Sequence, residues 1–256
     1  MSIKDTHISI MPYRTVPEGK MQESKARFPT IYNLTKNGTI TAGKCLFYGF
    51  ATHENTVFCR ESYKNAQALF DHVGEINLQP GAMDGMKVKF VGPAGELDKL
   101  KAKFGADKAE FFELDEGSMF FAQTDKAVMP DKHVSIMPFF TVPDGKMAEF
   151  KKHFGTFYEC TKNGTGLGSK QCLYYGFAIN GNTVYCREGY VNAAGALAHA
   201  NEVKEVLGKA IEMVGRDNLD ISVIGPKAEL EKLKEALGSL GPKFYDLDDG
   251  AMITVQ

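Results

Sequence analysis

The chain has 256 residues, 43% hydrophobic and 24% charged, with a formal net charge of −2. That balance is ordinary for a soluble globular protein, and without a Lys/Arg stripe it gives no footprint for nucleic acid. No apolar run reaches the roughly 20 residues of a membrane-spanning helix, and Met1–His7 lacks the apolar core of a secretory signal, so a cytosolic protein is expected.

In chain order, each half reads strand, helix, strand, strand, helix, strand, helix, strand. The first strand, near Thr6–Tyr13, ends before Val16-Pro17-Glu18-Gly19, where Pro17 suits a first helical position and Glu18 the positive end of a helix dipole. That helix is expected to run to Asn37-Gly38, with the glycine as its C-terminal stop. Cys45–Ala51 and Thr56–Ser62, rich in aromatic and β-branched residues, read as a hairpin. A second helix opens near Lys64-Asn65-Ala66, with Leu69, Phe70, Val73 and Ile76 at helical spacing. A strand at Met86–Val91 leads through Gly92-Pro93 into a third helix. The last strand lies near Phe111–Phe121, broken at Glu116-Gly117.

The chain then repeats itself. His7-Ile-Ser-Ile-Met-Pro12 returns as His133-Val-Ser-Ile-Met-Pro138, and Cys59-Arg-Glu-Ser-Tyr63 as Cys186-Arg-Glu-Gly-Tyr190. Two copies make a fused pair and not a solenoid. The expected organisation is a first domain over 1–123, a linker over 124–132 and a second domain over 133–256. The copies differ after the second helix, where the second runs on from Lys204 to Met213, so its helix is expected to be one to two turns longer and any cavities unequal. In the hairpin strands bulk falls on both faces: Leu46, Tyr48 and Phe50 alternate with Phe47. A sheet with helices on one side only would show a polar second face. The expectation is an α+β fold in which two ferredoxin-like sheets close on each other as an intramolecular pseudo-dimer, a barrel with helices outside.

The five cysteines include no CxxC pair. Pairing the second hairpin outward from an Asn180-Gly181 turn sets Tyr175 opposite Cys186, Tyr48 opposite Cys59, and Cys172 and Cys186 on opposite faces, so free buried thiols are expected.

Cys-Arg-Glu-x-Tyr-x-Asn-Ala-x₅-His, from Cys59 to His72 and from Cys186 to His199, resembles the signature of the antibiotic biosynthesis monooxygenase-like superfamily. The resemblance covers both copies. It implies a dimeric α+β barrel, here within one chain, in a family that includes cofactor-independent oxygenases acting on quinols and polycyclic phenols, heme-degrading enzymes and members without known reactions. The chain lacks tryptophan, which separates it from the heme-degrading branch.

The candidate catalytic residues are His72 and His199 as bases, since imidazole titrates near neutral pH, and Arg60 and Arg187 to steady an anionic oxygen. Tyr48, Tyr175, Glu61 and Glu188 are candidate substrate-binding residues. Arg and Glu are adjacent in a strand and so point to opposite faces. The structural alternatives are a histidine bonded to strand backbone, an ion pair across the copies and aromatic packing. His7 and His133 start their strands, but no HxH or HExxH spacing suggests a metal. Three functions remain open: an oxygenase acting on a small phenol or quinol, a non-catalytic module for a small hydrophobic ligand, and a structural or assembly protein with a filled interior.

Overall fold

A computed structural model describes residues 2–77, 85–121 and 124–255. The chain divides into two compact units. The C-terminal unit comprises Met1–Asp5, Phe112–Ala122 and Lys132–Phe244; the N-terminal unit comprises Thr6–Phe111, Gln123–Asp131 and Tyr245–Gln256. Each unit thus holds most of one copy and the terminal segment of the other.

In the C-terminal unit the strand Val134–Thr141 lies between Thr183–Tyr190 and Leu219–Gly225, antiparallel to both. Thr183–Tyr190 pairs in turn with Cys172–Asn180. The outer edge of Cys172–Asn180 receives Met119–Phe120, and Ile3–Lys4 pairs with that segment. The N-terminal unit repeats the order with Ile8–Thr15 between Thr56–Tyr63 and Lys87–Gly92, and Thr56–Tyr63 on Cys45–His53. Here the edge strand Cys45–His53 receives Met252–Val255, which also pairs with Thr124–Pro130. The stretch expected as a linker is therefore largely a strand.

A glycine makes room for each arriving segment. A Cβ on Gly176 would overlap the Ser118 side chain and lie 2.9 Å from its Cα, and one on Gly49 would lie 2.5 Å from the Ala251 Cβ. Glycine inside a strand marks such close approaches. Tyrosines on the helices complete the junctions: Tyr158 Oη donates to Asp115 and accepts from the Phe177 amide, and Tyr32 Oη accepts from the Phe50 amide.

The hairpin turn sits one residue later than the Asn-Gly pair suggests. Asn180 pairs with Thr183, so Gly181 and Asn182 form the loop, with Gly181 at φ +56°. This register sets Tyr175 opposite Glu188 and Tyr48 opposite Glu61, not opposite the cysteines. A bulge between Cys172 and Tyr174 then pairs Cys172 with Tyr190, on the same helix-covered face as Cys186. The expected opposite faces are thus overturned, while all five thiols are free.

The helices cover one face of each sheet. Asn65 and Asn192 cap the helices Ala66–Glu75 and Ala193–Glu202 by accepting from Ala68 N and Gly195 N at 2.9 and 3.1 Å. Glu96 from the helix Ala94–Phe104 and Glu229 from the helix Lys227–Leu237 accept from Ala66 N and Ala193 N, so an acidic side chain ties each helix start to a neighbouring helix. Phe154 stacks on Phe177 with centroids 4.0 Å apart, as Phe28 does on Phe50 at 4.1 Å.

Two helix expectations change. The first helix starts at Met21, not Pro17, and past Thr35 it widens into the turn Lys36–Ile40. Gly38 lies at φ −108°, ψ −111°, outside the left-handed region of a C-terminal stop; its purpose emerges at the site below. In the second copy the chain breaks at Val203 and starts a separate helix, Lys204–Val214, in place of a longer second helix. The matching stretch of the first copy, 78–84, lies outside the described residues.

Gly176→Ala is expected to destabilise the protein by about 1–3 kcal/mol through overpacking, because the Ser118 backbone must retreat. Denaturant unfolding measures the loss, and an unchanged midpoint would refute the close approach.

Candidate functional site

Alternation along Thr183–Tyr190 places Cys186, Glu188 and Tyr190 on the helix-covered face, and Tyr175 and Phe177 of the neighbouring strand join them. Tyr190 Oη donates to Glu188 Oε2. His199, reaching down from Ala193–Glu202, brings Nε2 to 3.3 Å from the same oxygen. Its ring sits beside Tyr175 and Tyr190, with centroids 5.0 and 5.2 Å away. On its other side Nδ1 lies 3.9 Å from Glu202 Oε2, one helical turn on.

The N-terminal unit carries the same group. Tyr63 donates to Glu61, His72 lies 3.8 Å from Glu61 and 3.7 Å from Glu75, and its ring is 5.0 Å from Tyr48 and 5.4 Å from Tyr63.

Six of the eight residues singled out from sequence therefore meet in two clusters of three: Tyr48, Glu61 and His72, and Tyr175, Glu188 and His199. Arg60 and Arg187 do not join them. Arg187 points to the opposite face and pairs with Asp5, and Arg60 pairs with Asp131 at 2.7 Å, all four side chains buried. A guanidinium cannot shed its charge, so burial obliges it to find a carboxylate. Among the described residues no group of three His, Cys, Asp or Glu side chains could hold a metal ion, and no helix is long and apolar enough to cross a membrane.

Sequence reading passed over Tyr63, Tyr190, Glu75 and Glu202. The signals were present in both copies, as Glu-x-Tyr in the strand and His-x-x-Glu in the helix. Gly38 and Gly164 belong with them. A Cβ on either would overlap the carboxyl group of Glu75 or Glu202, so these glycines let the carboxylates settle against the backbone.

Burial inverts the usual protonation order. It pushes Glu188 up to about 8 against the opposing bond from Tyr190, and Glu61 up to about 7 against Tyr63 and Cys59. It drives His199 down to about 3 and His72 to about 4. Near neutral pH Glu188 therefore holds a proton and His199 is uncharged. Burial likewise keeps the surrounding Tyr175, Tyr190, Cys172 and Cys186 protonated.

In the C-terminal unit the cluster opens on a cavity of about 60 Å³, several times the ~10–15 Å³ that one water needs. Tyr175, Glu188 and His199 line it together with Phe157, Ile221 and Leu207. Leu207 comes from the helix Lys204–Val214, which therefore builds part of the wall.

No protein-family model and no curated protein matches the chain. Among solved structures, MupZ from Pseudomonas fluorescens is 32% identical over 47% of this chain and 88% of that one, with a TM-score of 0.41. A protein named as a candidate monooxygenase from Fusobacterium nucleatum covers 84% of this chain, and 90% of its own length is matched, at 14% identity and a TM-score of 0.55. A second such protein, from Lactobacillus acidophilus, covers 85%, with 92% of its length matched, at 14% identity and a TM-score of 0.54. At 14% identity these two likenesses show the fold. Like those two structures, the chain has an α+β, ferredoxin-like fold.

The inverted protonation order fixes a pH signature. Going from unfolded to folded, His199 moves from 6.5 to about 3 and Glu188 from 4.5 to about 8. The histidine makes stability rise from about pH 3 to 6.5, and the carboxyl makes it fall from 4.5 to about 8. The two cancel from 4.5 to 6.5, leaving a fall above 6.5. Glu188→Gln is expected to remove on the order of 1–2 kcal/mol of that fall, read as the difference between wild-type and variant denaturant midpoints at the two ends of the window. An identical fall in the variant would mean that Glu188 is ionised across it.

Proposed function

We propose that this protein is a member of the antibiotic biosynthesis monooxygenase-like superfamily, an oxygenase without metal or organic cofactor, and that its C-terminal unit oxidises a small, single-ring phenol or quinol. The observation that carries this reading is the apolar cavity with one titratable acid–base pair, Glu188 and His199, at its wall.

The residue roles differ from those expected at first. A histidine lowered to about 3 is a weak base, whereas a carboxyl raised to about 8 is a strong one once ionised. Glu188 is therefore the proton acceptor and His199 its neutral neighbour. Deprotonating the phenol oxygen makes the ring electron-rich enough to reduce dioxygen, first by one electron and then by recombination to a ring-bound peroxide. Cleavage of the O–O bond leaves one oxygen on the ring and releases the other as water. Overall, a hydroquinone and O₂ give a hydroxyquinone and water, so the substrate supplies every electron. Apolar walls keep bulk water from the peroxide. No arginine stands in the cavity wall, so stabilisation of the phenolate falls to the Tyr190–Glu188–His199 hydrogen-bonding group. At about 60 Å³ the cavity is smaller than the ~150 Å³ that holds a benzene ring, so a single ring enters only if the walls give way, and polycyclic phenols are excluded.

A second reading has its own support. Near neutral pH the pair is uncharged, and an uncharged apolar cavity also suits a carrier of a small hydrophobic molecule.

Oxygen uptake with a panel of single-ring hydroquinones separates the two. The oxygenase reading expects uptake to rise with pH through about 8 as Glu188 ionises, and Glu188→Gln to lose about 10²–10⁴-fold, the usual worth of a general base. Binding of these hydroquinones with no uptake above the uncatalysed rate would favour the carrier.

A further inference from the structure

The two nitrogens of His199 face two different carboxyl groups. Nε2 addresses Glu188 at the cavity wall, and Nδ1, buried and without a hydrogen-bond partner, addresses Glu202. The Glu202 side chain is 26% exposed, whereas that of Glu188 is 7% exposed. One ring thus stands between an enclosed carboxyl and one that meets solvent.

We propose that Glu188, His199 and Glu202 form a proton path between the cavity and water, with Glu202 as its outer terminus. The proposal rests on Glu188 being the cavity's acid–base group, as in the reading above, and is independent of which reaction that group serves.

The transfer is a tautomer exchange. The Glu188 proton passes to His199 Nε2 while the proton on Nδ1 passes to the Glu202 carboxylate, which releases it to water. The ring donates one proton as it accepts another and is never an imidazolium. That matters because burial makes a charged ring costly here: the same apolar surroundings that hold His199 neutral also favour a relay through the neutral ring. The 3.9 Å from Nδ1 to Glu202 is too long for a direct bond; a small rotation of the partly exposed carboxylate or one bridging water closes it.

Glu202 is held for this task. Thr165 donates to its Oε2 from both N and Oγ1, at 3.2 and 3.1 Å. Gly164 leaves the space that its carboxyl fills. The N-terminal unit repeats each part: His72 between Glu61 and Glu75, Thr39 Oγ1 on Glu75 at 3.0 Å, and Gly38 making room. A carboxylate needed only to brace the turn against the helix would be satisfied by the threonine. It would not explain a histidine nitrogen buried beside it without a partner in both copies. The other titratable groups around the pair, Tyr175 and Cys172 on one strand and Cys186 and Tyr190 on the next, are kept protonated by burial. They offer no competing route.

The test is a rapid pH jump from about 6.5 to 9 followed by infrared spectroscopy of the full-length protein. The carbonyl band of the buried acid is assigned to Glu188 by its loss in Glu188→Gln. In Glu202→Gln, which keeps an acceptor for Thr165, the pH midpoint of the band is expected to stay near the wild-type value while its decay slows at least tenfold. Glu202→Asp, retaining a carboxylate, should recover part of the rate. Wild-type decay in Glu202→Gln would overturn the path and leave the assignment of Glu188 standing. A wild-type spectrum with no Glu188 acid band at the lower pH would overturn both.

Discussion

Two neighbouring residues of one strand, Arg187 and Glu188, commit the C-terminal unit to burying an ionisable group on each face of its sheet. Strand alternation sends them in opposite directions, and burial forbids leaving either one alone. They are satisfied differently. Arginine keeps its charge at any accessible pH, so it must be met by an anion, and Asp5 supplies it. Glutamate can give up its charge, and it does, holding a proton beside Tyr190 and His199. The first copy repeats the scheme with Arg60 on Asp131 and Glu61 beside Tyr63 and His72.

That division separates architecture from chemistry within four residues of strand. Asp5 and Asp131 lie outside the strands that carry the arginines, in segments brought in from elsewhere along the chain: Asp5 in Met1–Asp5 and Asp131 in Gln123–Asp131. The arginine face therefore anchors imported segments. The glutamate face meets the unit's own helices and stays soft, with a proton that neutral pH can nearly remove. Placing the hard charge away from the cavity leaves the cavity apolar, and an apolar cavity is what raises the carboxyl in the first place.

The glycines follow the same logic. Gly49 and Gly176 admit an arriving segment, and Gly38 and Gly164 admit a carboxylate. In each case a missing methyl group allows something from a distant part of the chain to come close. In the second copy the helix Lys204–Val214 brings Leu207 to the cavity.

The sequence by itself determined what local periodicity can carry. Alternation put Tyr175 and Glu188 within reach of one face, the helical pattern marked His199 as a candidate beside them, and the repetition named Tyr48, Glu61 and His72 as their counterparts. Only the tertiary structure decided the rest. The loop at Gly181-Asn182 and the bulge after Cys172 moved each tyrosine from opposite a cysteine to opposite a glutamate, a one-residue matter that no propensity resolves. The partners of the arginines lie 71 and 182 residues away in sequence, beyond any periodic signal. The exchange of acid and base strength between glutamate and histidine is a property of burial, and burial exists only once the chain has closed over the pair.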